Sequence, residues 1–172
     1  AEVLGALYWG ISLINQGKRD DARQKLIESL ELARQIGWPK IESDSIRGLG
    51  IIAQQAGDID AAQSYYEESL VIGQQISDAR GTSACLGNLG NICRQRGDFE
   101  QAERYMIESL AVHQQIGDRS SEARTISMLG DLAMDLEEYS AAESRFQESY
   151  EILTEIGEHH YAACLLYTSD AA

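Results

Sequence analysis

Apolar residues recur along this chain at intervals of three and four residues, the spacing that places side chains on one face of an α-helix. Two such stripes lie in the stretch 82–116: Leu86, Leu89 and Cys93, then Ala102, Met106, Leu110 and Ile116. Gly97-Asp98 separates them, and glycine can adopt the left-handed conformation that ends a helix, while aspartate can cap the next one. The pattern predicts an antiparallel helix pair, with helix A over about 82–96 and helix B over about 100–116.

The pattern occurs four times at a constant interval of 40 residues, without insertion or deletion. The coinciding columns are Gly10, Gly50, Gly90 and Gly130; Ala22, Ala62, Ala102 and Ala142; Ser29, Ser69, Ser109 and Ser149; and Ile36, Ile76, Ile116 and Ile156. The small glycine and alanine residues are predicted to let helices A and B approach closely. The recurring Glu-Ser pair, as in Glu68-Ser69, is predicted to be architectural. A period of this length indicates a repeat protein.

Each unit divides at a turn between its two helices. The turn residues are Gly17-Lys18, Gly57-Asp58, Gly97-Asp98 and Glu137-Glu138. Because the fourth unit has glutamate where the others have glycine, its turn is predicted to be less favourable than the other three.

The motifs within the unit resemble those of the tetratricopeptide repeat. They are Ile126-x2-Leu129-Gly130 on helix A and Ala142-x3-Phe146 on helix B, repeated as Ala62-x3-Tyr66 and Ala102-x3-Met106. The resemblance covers residues 1 to about 163. It implies an all-α fold, a right-handed α-α superhelix (solenoid) of four antiparallel helix-pair repeats. The period exceeds the usual 34 residues, and this longer form is similar to arrays in multidomain signalling proteins, especially bacterial transcriptional regulators and regulatory ATPases.

The predicted organisation is one array over residues 1–163. Its units are approximately 3–40, 42–80, 82–120 and 122–158, followed by the truncated start of a fifth at 159–163. Residues 164–172, CLLYTSDAA, resemble a translated sequencing adapter and are expected to be a non-native tail. The chain is therefore expected to be a fragment of a larger protein. Without a polar capping helix, Phe146, Ile152 and Ile156 are expected to lack the partners that a next repeat would supply, and to promote fraying or self-association.

The composition argues against several classes of partner. Lys and Arg number 14 against 28 Asp and Glu, giving a formal net charge of −14, which disfavours binding to nucleic acid or to an anionic membrane surface. No apolar run approaches the roughly 18 residues of a membrane span, and no signal-peptide pattern opens the chain. The sequence predicts a soluble, cytoplasmic protein with neither nucleic acid nor membrane as a direct partner.

No motif for catalysis, a cofactor or a metal ion is evident. Cys85 and Cys93 lie eight residues apart on one predicted helix, about 12 Å along its axis and too far for a disulfide, so they are predicted to be buried, reduced thiols. His113 is predicted to have a surface or packing role. His159 and His160 are adjacent on a helix and do not converge on one ion. We therefore expect no enzyme activity and no cofactor.

The resemblance implies that helices A line a concave face that holds an extended or helical peptide. The matching positions are Arg47, Ile51, Asn88, Asn91, Arg94, Arg124, Asp131 and Asp135, with Asp44, Gln54, Gln95 and Ser127 in the same columns. In the first unit these columns hold the apolar residues Leu4, Leu7, Tyr8, Ile11 and Ile14. Asparagine can hydrogen-bond a peptide backbone, and arginine can bind a carboxylate through two hydrogen bonds.

The leading functional hypothesis is a protein-interaction or sensor module, part of a larger signalling or transcriptional regulator, that binds a peptide or partner domain. The alternative is a structural module for self-association without an external peptide ligand. Small-molecule sensing would need an aromatic-lined pocket, and the aromatic content is only 7%. A clamp for a C-terminal carboxylate, as in chaperone-tail-binding members, would place Ile51 and Met128 where that group has cationic or amide side chains, which argues against it.

Overall fold

The computed structural model describes residues 2–158, which form eight α-helices and no strand. The helices are α1 (Glu2–Asn15), α2 (Arg19–Ile36), α3 (Pro39–Gln55), α4 (Ile59–Gln75), α5 (Ala79–Gln95), α6 (Phe99–Ile116), α7 (Arg119–Asp135) and α8 (Tyr139–Glu155). Helices α1, α3, α5 and α7 are the helices A, and the others are the helices B. The predicted all-α fold of helix pairs is confirmed. The proposed fifth unit, the tail 164–172 and His159-His160 lie outside the described residues.

Helices A begin one turn earlier than predicted. In the third copy, α5 begins at Ala79 and not near 82, and in the fourth copy α7 begins at Arg119, where the Asp118 carboxylate accepts a hydrogen bond from the Ser121 amide at 3.2 Å. The first turns of these helices are polar or small, so they add nothing to the apolar pattern from which the start was predicted.

The chain divides into two compact units, which are distinct from the four repeats: the first unit is residues 1–89 and the second unit is residues 90–172. The boundary between them lies inside α5. In the first unit, α1 packs on α2, α2 on α3 and α3 on α4. One apolar cluster, which includes Val3, Leu7, Leu26, Leu49 and Ile52, joins α1, α2 and α3. In the second unit, α6 packs on α7 and α7 on α8, through one cluster around Met106 and Leu129 and another around Ile126 and Ile152.

Small residues bring the two helices of each pair into close contact, as predicted. A Cβ atom added to Gly50 would lie 2.6 Å from the Tyr66 ring, and one added to Gly130 would lie 2.7 Å from the Phe146 ring. The alanine column of helices B, for example Ala62 and Ala102, is fully buried. A larger side chain at either column would therefore force the helices apart.

The serine column joins helix B to helix A of the same pair. Ser69 Oγ donates a hydrogen bond to the Ser43 carbonyl oxygen at 2.9 Å, and Ser149 Oγ donates to the Ala123 carbonyl oxygen at 2.8 Å. Buried hydroxyl groups need such partners because burial without a hydrogen bond is unfavourable. The prediction that this serine is architectural is confirmed.

One prediction about apolar residues was wrong. Ile116 does not belong to the buried stripe of α6, because its side chain is 37% exposed; it follows Leu110 by six residues, a rotation of about 240° at 3.6 residues per turn. Ile152 is buried beside Ala123 and Ile126 of α7, inside its own helix pair. By contrast, Phe146 is half-buried and Ile156 is exposed.

The turns inside the helix pairs follow the predicted chemistry. Gly17, Gly57 and Gly97 have φ values of 72°, 82° and 78°, in the left-handed region that suits glycine. The Asp58 and Asp98 carboxylates cap α4 and α6 by accepting hydrogen bonds from backbone amides three residues on. In the fourth repeat, Glu137 adopts a φ of 61° and Glu138 provides no side-chain cap. This turn is the less favourable one, as predicted.

Replacing Glu137 by glycine is expected to stabilise the chain by about 1 kcal/mol, because a residue with a Cβ atom is strained in the left-handed region. Glu137 is exposed, so no packing is lost with its side chain. Urea denaturation followed by circular dichroism measures the difference. The control is Glu138→Gly, whose φ of −88° is open to any residue; a gain there equal to that of Glu137→Gly would contradict the explanation.

Candidate functional site

In the first compact unit, Arg47 is held by Asp44 of its own helix. Its Nη2 atom donates a hydrogen bond to the Asp44 carboxylate at 3.0 Å. The same carboxylate accepts from Lys40 Nζ at 3.0 Å, and Lys40 also binds Asp78 at 2.8 Å. Arg47 Nε is buried and has no hydrogen-bond partner. Arg47 is therefore largely committed to an internal ion-pair network.

The other two predicted residues of this compact unit, Ile51 and Asn88, differ in whether their side chains could contact a ligand. Ile51 is half-buried and packs against the apolar cluster of the unit, so much of its side chain belongs to the core. Asn88 on α5 is also half-buried, and no hydrogen bond joins its amide to another described residue. Of these two, only Asn88 offers an unoccupied polar group.

Two of the predicted residues in the second unit form an ion pair. Arg94 Nη1 on α5 donates to the Asp135 carboxylate on α7 at 2.9 Å. Asp131 lies one turn before Asp135 and is half-buried. Burial raises the pKa of the Asp131 carboxyl, the nearby Arg94 guanidinium opposes this effect, and the Asp135 carboxylate adds to it. The structure thus brings Arg94, Asp131 and Asp135 together.

Two further predicted residues, Asn91 and Arg124, lie near this group. Arg124 on α7 is exposed and Asn91 on α5 is half-buried; within residues 2–158, neither side chain forms a hydrogen bond or an ion pair. Arg124 and Asp131 are seven residues apart, close to two helical turns, so they share one face of α7. We call Asn91, Arg94, Arg124, Asp131 and Asp135 the unit-2 surface.

The predicted apolar mouth of the first repeat is only partly exposed. Leu7 and Ile14 are buried in the core cluster of the first unit, so their assignment to a binding surface was wrong. They share the core-facing side of α1 with Val3 and Gly10, at three- and four-residue spacing. Tyr8 and Ile11, on the other side, are exposed.

The sequence analysis did not predict the ion pairs that join neighbouring helices. Arg34 on α2 donates to Glu42 of α3 at 2.8 Å and to Glu68 of α4 at 2.9 Å. Arg119 at the start of α7 similarly bridges Glu122 and Glu155, at 2.7 and 3.0 Å. In both cases the signal was an arginine close to the junction between a helix B and the next helix A. These ion pairs link neighbouring helices at the surface.

Within residues 2–158, histidine, cysteine and acidic side chains form no evident metal-binding cluster. His113 is buried, in agreement with a packing role. The buried Cys85 thiol donates to Ser69 Oγ at 3.2 Å, and burial raises the pKa of this thiol. Across residues 2–158, no three His, Cys, Asp or Glu side chains are grouped so that they could hold a metal ion. None of the described helices combines the length and apolar character required to span a bilayer.

Comparison with solved structures identifies the fold in proteins of low sequence identity. The Rap conjugation gene regulator of plasmid pLS20, in complex with the Phr peptide, matches with a TM-score of 0.87 and 18% identity over 95% of this chain and 45% of that chain. A signal-transduction ATPase with a tetratricopeptide repeat sensor from Pyrococcus horikoshii matches with a TM-score of 0.78 and 15% identity, over 98% and 27%. The tetratricopeptide repeat domain of Arabidopsis FLU matches with a TM-score of 0.61 and 24% identity, over 66% and 96%.

The chain spans less than half of the Rap regulator and about a quarter of the ATPase. No curated protein sequence matches it. A family model described as tetratricopeptide repeat matches residues 2–72, 42–115 and 82–155, which together extend over almost the whole chain. The sequence motifs, the helix pairs and this match agree, and the chain belongs to the tetratricopeptide repeat family.

Proposed function

We propose that this chain is the interaction module of a larger signalling or regulatory protein and that it binds a segment of a partner protein on the unit-2 surface. The observation that carries the proposal is that two polar side chains in the columns of helix A, Asn91 and Arg124, have no hydrogen-bond or ion-pair partner among residues 2–158. Elsewhere on these helices, charged side chains such as Arg47 are used in internal ion pairs. The family supports a role in protein interaction.

The bound peptide in the Rap regulator structure supports a peptide as the type of ligand, and the sensor repeat of the ATPase supports a signalling context. In the first unit, the same proposal extends to Asn88. Arg47 is a weak candidate for a carboxylate clamp because Asp44 already occupies its guanidinium. An enzyme would need a convergent set of catalytic side chains, and the residues of the unit-2 surface do not form one.

Replacing Arg124 by glutamate is expected to weaken binding of a partner peptide at least tenfold, because a favourable charge becomes a repulsive one. The probe is a dodecapeptide selected from a random displayed library on the unchanged chain, and its affinity is measured by fluorescence anisotropy. The matched control is Arg145→Glu, an equal charge change at an exposed position of α8. Equal affinity of both variants, with unchanged helicity, would reject the unit-2 surface.

Self-association is a second candidate function, and α1 carries the observation that favours it. Trp9 is 61% exposed, whereas Leu49 and Leu129, at the same position of later repeats, are 4% and 7% exposed. The Trp9 ring lies beneath Lys25 Nζ, 5.5 Å from its centroid, but most of its area remains open. A large exposed aromatic at a position that is buried in other repeats is typical of an interface.

If α1 mediates self-association, Trp9→Ser should convert a dimer into a monomer, because most of the apolar area of the contact is removed. Light scattering coupled to size-exclusion chromatography measures the mass over a range of concentrations. Ile107→Ser, at an exposed position of α6, is the control for a general loss of surface apolar area. A monomeric unchanged chain at all concentrations would eliminate this candidate.

A further inference from the structure

The charges of the unit-2 surface are not equally available to a ligand. Arg94 and Asp135 neutralise each other through the 2.9 Å hydrogen bond that joins α5 to α7. Asp131 and Arg124 form no ion pair with any residue in the described range, and they have opposite charge. A ligand therefore meets one unpaired carboxylate and one unpaired guanidinium on the same face of α7.

The spacing of these two charges is set by the helix. Seven residues separate Arg124 from Asp131, and at a rise of 1.5 Å per residue their backbones lie about 10 Å apart along the axis of α7. A peptide in the extended polyproline II conformation has three residues per turn and advances about 3.1 Å per residue, so side chains three residues apart lie on the same side of it. Their separation of about 9 Å is close to that of Arg124 and Asp131 along α7.

Asn91 favours an extended ligand over a helical one. Its half-buried amide has both a donor and an acceptor without a partner in the described part of the chain. An extended backbone has unpaired N–H and C=O groups to offer to such a side chain, whereas the backbone groups of a helix are already bonded to each other. The Arg94–Asp135 bond brings α5 and α7 together one turn beyond Asn91 and Asp131, so the amide and the carboxylate lie on neighbouring helices.

We propose that the ligand of the unit-2 surface is an extended peptide segment with one basic and one acidic side chain three residues apart, the basic group bound by Asp131 and the acidic group by Arg124. This inference rests on the proposed function and specifies the chemistry of its ligand. The two bonds differ in environment. Asp131 is half-buried and Arg124 is exposed, so the basic residue of the ligand contributes more to affinity than the acidic one.

Non-specific attraction of cationic peptides by the overall negative charge is an alternative explanation of binding, and it predicts a different order of affinities. A net charge of −14 attracts any cationic peptide without specificity, and this attraction is screened by salt. If only this long-range attraction acted, a peptide with two basic residues would bind better than one with a basic and an acidic residue. The proposed pair of contacts requires the opposite order at physiological salt.

The test uses pools of capped heptapeptides in which x is an uncharged residue: Lys-x-x-Glu, Glu-x-x-Lys, Lys-x-x-Lys, Glu-x-x-Glu and Ala-x-x-Ala. Affinities for the full chain are measured by fluorescence anisotropy in about 150 mM salt, near physiological ionic strength. We expect one of the two mixed-charge pools to bind about tenfold more tightly than Ala-x-x-Ala and more tightly than Lys-x-x-Lys, since a charge-assisted hydrogen bond changes affinity by about this factor.

The double variant Arg124→Glu/Asp131→Lys exchanges the two charges and keeps the net charge constant. It should prefer the mixed-charge order that the unchanged chain disfavours, a reversal that a structural defect cannot produce. Arg145→Glu should leave the original order in place. Equal or tighter binding of Lys-x-x-Lys, or an unchanged preference in the double variant, would overturn the inference. Failure of every pool to bind would count against the proposed function itself, and with it the inference.

Discussion

Leu26→Ala is expected to cost about 2–5 kcal/mol of the free energy of unfolding, the range for removing a large, fully buried aliphatic side chain. Leu26 is fully buried on α2. Its side chain lies between two glycines of helices A, and a Cβ atom built on Gly10 or Gly48 would be 2.9 or 2.8 Å from it. Neither glycine has a side chain that could fill the space, so the cavity opens on two sides.

Urea denaturation measures this loss, with Ile27→Ala as the matched control on the same helix. Ile27 is exposed, and a loss of only about 0.5 kcal/mol is expected for a surface position. A double-mutant cycle tests the contact between Gly48 and Leu26 directly. Gly48→Ala alone should destabilise the chain through its contact with Leu26, but together with Leu26→Ala it should partly refill the cavity. Strictly additive effects of the two changes would contradict the packing described.

Gly50→Ala is the second large effect, with an expected loss of about 2 kcal/mol. The added Cβ atom would lie 2.6 and 2.8 Å from two atoms of the Tyr66 ring and 3.2 Å from Tyr65 Cβ. Tyr66 cannot easily move away, because it is fully buried and its hydroxyl group donates to Gln54 Oε1 at 2.9 Å. The clash therefore outweighs the gain of about 1 kcal/mol that alanine normally brings to a helix interior.

Gly5→Ala provides the opposite result from the same chemical change. Gly5 also lies on a helix A, but a Cβ atom there would meet nothing within 4 Å. Only the helix propensity changes, so the chain should lose no stability and gain up to about 1 kcal/mol. If thermal and urea denaturation gave the same sign for Gly5→Ala and Gly50→Ala, close helix packing would not be the reason for the glycine column.

The sequence was sufficient to predict the helix pairs and their internal packing. The four repeats have a constant period, so each column places the same residue type at the same point of each helix. One structural role therefore has to explain all four residues of a column. The serine column, for example, could only be architectural, because Ser69 and Ser149 cannot both serve one local site. The left-handed turn at Glu137 followed from the three glycines at the equivalent positions.

Periodicity was less informative about which side chains remain available. Arg47 and Arg124 belong to the same kind of surface in the repeat pattern, but Asp44 binds the first and no described residue binds the second. Such pairing depends on the neighbouring turn or helix and on side-chain rotamers, and the repeat pattern contains no information about either. The exposure of Ile116 had a simpler cause, since a conserved spacing between repeats does not show which way a residue faces within one helix.

Binding of a peptide segment to the unit-2 surface is tested most directly by nuclear magnetic resonance. Amide correlation spectra of the full chain are recorded during titration with the Lys-x-x-Glu and Glu-x-x-Lys pools. We predict shifts of the Asn91 side-chain amide signals and of backbone signals from Arg124 to Asp135, with helices B largely unaffected. Shifts confined to helices B or to α1 around Trp9, with Asn91 and Arg124 unchanged, would contradict the claim.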